Sequence, residues 1–113
     1  MDGKQIITTL LVLLSAALLE AGGDAIVRLG MNASTTLVKT SLFLVGGLVL
    51  FTYGYVVNAP AWNFGRLLGL YVVFFFLVAQ AISWIVFDQR PSVAVIIAGC
   101  LMVAGGIILS YKP

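Results

Sequence analysis

Residues 6–29 read IITTLLVLLSAALLEAGGDAIVRL, from Ile6 to Leu29. Apart from Glu20, Asp24 and Arg28 the stretch is uncharged. An α-helix needs about 20 apolar residues to cross a hydrocarbon layer roughly 30 Å thick. Lys4 ahead of the run and the small cluster Ala21-Gly22-Gly23 within it imitate a cleavable leader. A leader's apolar region is uncharged and about 7 to 15 residues long, whereas this run continues through Glu20 and is followed by three more apolar stretches. We read it as a membrane span.

The rest of the chain carries the same signature. Of 113 residues, 62% are hydrophobic and 9% charged, and none is histidine; the mean hydropathy is +1.16. A soluble domain carries about 25% charged residues, so one compact integral membrane unit over residues 1–113 is expected instead. Its spans are 6–29, 40–57, 67–87 and 93–111. Turn chemistry separates them: Asn32-Ala33-Ser34, then Asn58-Ala59-Pro60 through Asn63, then Asp88-Gln89-Arg90-Pro91. Connections this short join antiparallel neighbours, which makes an all-α, four-helix transmembrane bundle seated in a lipid bilayer.

Several function classes fall away at this point. With one cysteine, Cys100, and no histidine, the chain offers no disulfide framework, no metal-ligand cluster and no nucleophile beside a base. We expect no enzyme activity, no metal and no cofactor. A net charge of +2, scattered along the chain, does not suit nucleic acid. The tripeptide Asn32-Ala33-Ser34 matches a glycosylation acceptor, as short sequences do by chance.

Lysine and arginine at the span ends set orientation in most membrane proteins. Here Lys4, Arg66 and Lys112 fall on one side, and Arg28, Lys39 and Arg90 on the other. The tie leaves two readings open: a topology fixed by other means, or a chain inserted in both orientations that pairs with an inverted copy of itself.

Glu20, Asp24 and Arg28 lie at i, i+4 and i+8, along nearly one face of the first helix. With the helix centred near Leu14 to Ala17, Glu20 is about 5 to 8 Å past the centre and the others successively shallower. Arg28 can snorkel to the interface with Asp24 as its ion-pair partner. Glu20 is too deep for that. Burial disfavours its charged form, and intramembrane acids mark ion or substrate paths. It is read as a site exchanging a proton for a cation, against the alternative of a permanently protonated acid that hydrogen-bonds a neighbouring helix. The small residues around it, Gly23 among them, allow close packing or leave room for a ligand. Tyr53 and Tyr55, near the end of the second span, are expected to face the interface. Gly65-x-x-x-Gly69 matches a small-residue helix-pairing pattern, at the mouth of its span.

These residues resemble the small multidrug resistance family of four-helix transporters, within the drug/metabolite transporter group. Glu20, Gly23 and Arg28 match its first-helix pattern. Ser83-Trp84, Phe87-x-Gln89-Arg90, Ile96-Ile97, Leu101 and Ala104-Gly105 match its third and fourth helices without a gap. The middle differs from the drug exporters: Leu68 and Tyr71 hold the expected aromatic positions, and Val73-Phe74-Phe75 stands where a glycine kink belongs. Glu20-x-Gly22-Gly23, Pro60 in the second loop and Phe64-Gly65-Arg66 followed by Tyr71 look more like the YnfA-type branch.

The resemblance implies proton-coupled efflux of cationic or lipophilic-cationic compounds across the inner membrane, by alternating access in an antiparallel dual-topology homodimer. Glu20 and Gly23 would belong to the proton and substrate site, with Asp24 and Arg28 as a possible secondary site. Tyr71 is open between packing and ligand contact; Trp84 is open between cation stacking and anchoring at the interface. The fourth helix would supply the dimer seam, with Ala98, Leu101, Ala104 and Gly105. Two other functions stay open, a flippase subunit for lipid-linked sugars or lipids and a non-transporting membrane subunit.

Overall fold

The computed structural model describes residues 3–111. Four helices follow in order: α1 Gly3–Met31, α2 Thr36–Val57, α3 Phe64–Phe87 and α4 Val93–Ser110. Each is long and apolar enough to cross a membrane. Helices α2 and α3 start earlier than the spans read from hydropathy, because Lys39 and Arg66 are inside them; α1 is longer at both ends, and α4 ends one residue sooner. A long cationic side chain reaches an interface or a helix end without interrupting its own backbone. Lys112, counted in the charge balance, lies outside the described residues.

Polar caps at short turns set the helix boundaries. The Thr35 hydroxyl accepts from the Val38 N–H at 3.3 Å, and the Ser92 hydroxyl accepts from the Val95 N–H at 3.3 Å. Each satisfies an amide that the first turn of α2 or α4 leaves open. Helix α3 stops at Asp88, which takes the left-handed conformation (φ 53°). Within the helices, Ser15, Ser41 and Thr52 return their hydroxyls to the carbonyls of Leu11, Leu37 and Leu48, which satisfies each of them inside its own helix.

Packing runs in the order α2, α1, α3, α4. The heptad-spaced series Thr9, Leu13, Ala16, Glu20, Gly23, Val27 and Gly30 forms the α1 seam. On α2 the matching series is Gly46, Leu50, Tyr53 and Val57. A Cβ on Gly23 would stand 2.8 Å from Leu50, and one on Gly46 would stand 2.7 Å from Val27 and 3.2 Å from the Gly23 carbonyl oxygen. In lipid, where no hydrophobic effect drives helices together, such close backbone approach supplies the packing. Helix α4 packs mainly on α3, through Gly99 against Phe76 and Gly106 against Val73.

The core therefore lies around α1: Leu13, Ala16, Ala17 and Ala21 meet Val57, Leu67, Leu70, Tyr71 and Val78. Large apolar side chains point outward elsewhere, among them Leu48, Phe51, Ile85 and Ile108. In water such a surface would aggregate. Facing acyl chains, it is the surface a membrane protein requires.

Candidate functional site

Glu20 lies three residues beyond Ala17, the midpoint of α1, about 4.5 Å along the axis. It occupies the junction of three helices. Tyr71 Oη donates to Glu20 Oε1 at 2.8 Å and also lies 3.3 Å from the Ala16 carbonyl oxygen. Tyr71 itself is buried. From α2 the ring of Tyr53 packs on Tyr71 with centroids 5.5 Å apart, which brings a second phenol to the junction. Phe75, one turn along α3, stands 6.3 Å from the Tyr71 ring. Among the described residues no lysine or arginine pairs with the Glu20 carboxylate within 4.0 Å. The acid thus has a phenolic donor and aromatic walls, but no cation of its own.

Tyr53 is the contact that hydropathy misplaces: it faces inward, while Tyr55 is 79% exposed. The signal for it was the 4-3-4 spacing of Gly46, Leu50, Tyr53 and Val57, which sets Tyr53 on the packed face of α2.

Asp24 and Arg28 separate from Glu20. A step of four residues overshoots a full turn by about 40°, so i+8 has drifted by about 80°. Asp24 and Arg28 are rotated toward α3, where they line a groove of about 370 Å³ with Gln80, Ser83 and Phe87; Glu20 is not part of its lining. The expected ion pair does not form. The Arg28 guanidinium lies 5.3 Å from the Phe87 ring centroid instead, which draws it across to α3 and away from Asp24.

Gly23 serves the α1–α2 contact rather than a cavity, since its face is filled by Leu50 and Val49. Trp84 lies thirteen residues beyond Tyr71, about 20 Å along α3. It is half exposed, and the Arg90 guanidinium sits 5.4 Å from its ring. Together with its neighbours it closes the α3–α4 turn. Ser83 Oγ donates to Gln89 Oε1 at 3.1 Å, and the Ser83 carbonyl accepts from the Asp88 and Gln89 amides. The run Ser83-Trp84, Phe87-x-Gln89-Arg90 is thus a helix stop in this chain.

Ala98, Leu101 and Ala104 are exposed on α4, and nothing lies within 4 Å of a Cβ placed on Gly105. The four residues assigned to a dimer seam share the side of α4 that α3 does not cover.

Four apolar helices, three of them meeting at Glu20, define a small multi-pass membrane protein. The chain is similar along almost its whole length to a protein of Herpetosiphon aurantiacus described as a UPF0060 membrane protein. The two are 23% identical over 111 residues, which cover 96% of this chain and 98% of the other. No family model matches the chain, and no solved structure does.

Proposed function

We propose that the chain is a proton-coupled transporter of the inner membrane that exports cationic or lipophilic-cationic compounds through Glu20. The observation carrying this reading is the Glu20 carboxylate near mid-span, hydrogen-bonded to Tyr71 and without a cationic side chain beside it among the described residues. An ionised acid at that depth needs a counter-charge. Where no side chain supplies one, a proton and an organic cation can take turns, each excluding the other. The Tyr53 and Tyr71 faces beside the carboxylate suit a cation's apolar or quaternary surface.

Export then requires that this one site open to each side of the membrane alternately, by rocking of packed units around it. An inverted second copy supplies the second unit, seated on the uncovered side of α4. That arrangement also accounts for the even split of basic residues between the two faces of the membrane. Two Glu20 carboxylates in one chamber would titrate as a pair and not as separate acids.

The test is Glu20→Gln in sealed vesicles with an imposed pH gradient and a lipophilic cation as substrate. Proton-driven accumulation should vanish while the oligomer persists. Accumulation that survives in the variant would remove Glu20 from the mechanism. A wild-type protein silent in purified form, and active only with a second chain, would favour the flippase-subunit reading.

A further inference from the structure

The groove between α1 and α3 adjoins the Glu20 junction, sharing Phe75 with it, but Glu20 does not line it, and it gathers three polar side chains that make no side-chain hydrogen bond or ion pair among the described residues. Its volume is about 370 Å³, within the range of small-ligand pockets. Asp24 makes no ion pair or hydrogen bond through its side chain among the described residues. Neither does the Gln80 amide, and the Arg28 guanidinium has only the Phe87 ring. Three polar side chains, one anionic, one cationic and one neutral with both donors and an acceptor, converge on a single cavity. Asp24 and Arg28 are exposed to that opening and Gln80 is half-buried, and along a membrane-spanning helix an open polar group calls for a partner, which a guest in the groove can supply.

The charges decide which guest. Asp24 and Arg28 are one turn apart on the same helix, with Cβ atoms roughly 6 Å from each other. A simple organic cation would satisfy Asp24 but would be repelled by Arg28. A simple anion meets the reverse problem. A molecule carrying both charges a few ångströms apart satisfies both at once, and the planar guanidinium matches a phosphate or carboxylate with two parallel donors. Arg28 is seven residues closer to the α1 end than Ala21 at the groove's inner edge, so the anionic group would sit toward the interface and the amine deeper. Ala25 and Ala79 leave the room; longer side chains there would fill it.

We propose that this groove binds a small zwitterion, its ammonium group on Asp24 and its phosphate or carboxylate on Arg28, with Gln80 hydrogen-bonding between them. The site stands whether or not Glu20 exchanges protons. It gives the molecule a second recognition point whose preference, amine plus anion, differs from that of the Glu20 junction. The zwitterion can be a free solute or the headgroup of a lipid entering sideways, since both present the same two charges.

Calorimetric titration of the purified protein in neutral detergent micelles tests this, with O-phosphoethanolamine as the probe and ethanolamine and inorganic phosphate as single-charge controls. The zwitterion should bind at least tenfold more tightly than either control. Asp24→Asn and Arg28→Gln should each weaken it tenfold or more, and Ala79→Leu, which fills the groove without touching a charge, should abolish it. Glu20→Gln should leave the probe's Kd unchanged while eliminating transport, which separates failure here from failure at Glu20. Repeating the titration in nanodiscs identifies the source: competition from phosphatidylethanolamine but not phosphatidylglycerol marks a lipid headgroup, and its absence marks a free solute. Equal affinity for ethanolamine and the zwitterion, or an Arg28→Gln protein that binds as the parent does, would overturn the proposal.

Discussion

Tyr71 of α3 donates its hydroxyl to the Glu20 carboxylate of α1 across 2.8 Å, so the charge state of the acid bears on how the two helices are held together. A carboxylate accepts that bond more strongly than a neutral acid does. Any ligand that displaces the hydroxyl also loosens α3 from α1. In the proposed exchange, chemistry at the site and movement of the helices would share this one contact.

Tyr71→Phe should remove the bond and keep the ring packing on Tyr53 and Phe75. A hydrogen bond to a charged group contributes roughly 1.5 to 3 kcal/mol. In a double-mutant cycle with Glu20→Gln, read by unfolding in mixed detergent, the two losses should overlap by about 1 to 3 kcal/mol. Full additivity would mean that the pair does not interact.

Adjacent glycines on α2 should behave oppositely. A Cβ on Gly46 would press on Val27 and on the Gly23 carbonyl, while one on Gly47 has nothing within 4 Å. Gly46→Ala should destabilise the protein by about 1 to 3 kcal/mol. Gly47→Ala should be neutral or should stabilise by up to about 1 kcal/mol through helix propensity. Melting temperatures in one detergent give the comparison directly.

Arg66 ties the start of α3 to the end of α4. Its guanidinium donates to the carbonyls of Leu109, Ser110 and Tyr111 at 2.8, 3.4 and 2.9 Å and lies 4.1 Å from the Trp62 ring centroid. It answers carbonyls that the last turn of α4 leaves open and complements the negative end of that helix. Arg66→Gln should let the end of α4 fray, seen as faster amide exchange at Ile108 to Tyr111. Arg66→Lys should not restore it, because an ammonium lacks the planar fork.

Gly105→Leu separates the folded chain from its assembly. The position has open space around it, so helix content and single-chain packing should be retained. If α4 forms the seam of a homodimer, light scattering in mild detergent should report a monomer or a much weakened dimer. An unchanged dimer would place the seam elsewhere.

Hydropathy made the four spans legible, since an apolar run of the right length has no other stable home. It was less reliable at the helix starts. Lys39 and Arg66 look like span ends but lie inside helices, and the reason for Arg66 is a contact 43 residues away, at Leu109. Similarly, Ser83, Gln89 and Arg90 were visible as a pattern of chemistry-bearing residues. Their work in closing the α3–α4 turn depends on a left-handed Asp88 that hydropathy does not reveal.

The sequence by itself determined the membrane setting, the four helices and the depth of Glu20, because each follows from composition or from local period. Only the tertiary structure decided which partners the acids have. The 40° offset per four residues turns Asp24 and Arg28 into a groove against α3, and Tyr53 and Tyr71 reach Glu20 from other helices. Such meetings depend on how helices are rotated against one another, and in lipid that rotation is set by close packing at Gly23, Gly46 and their neighbours.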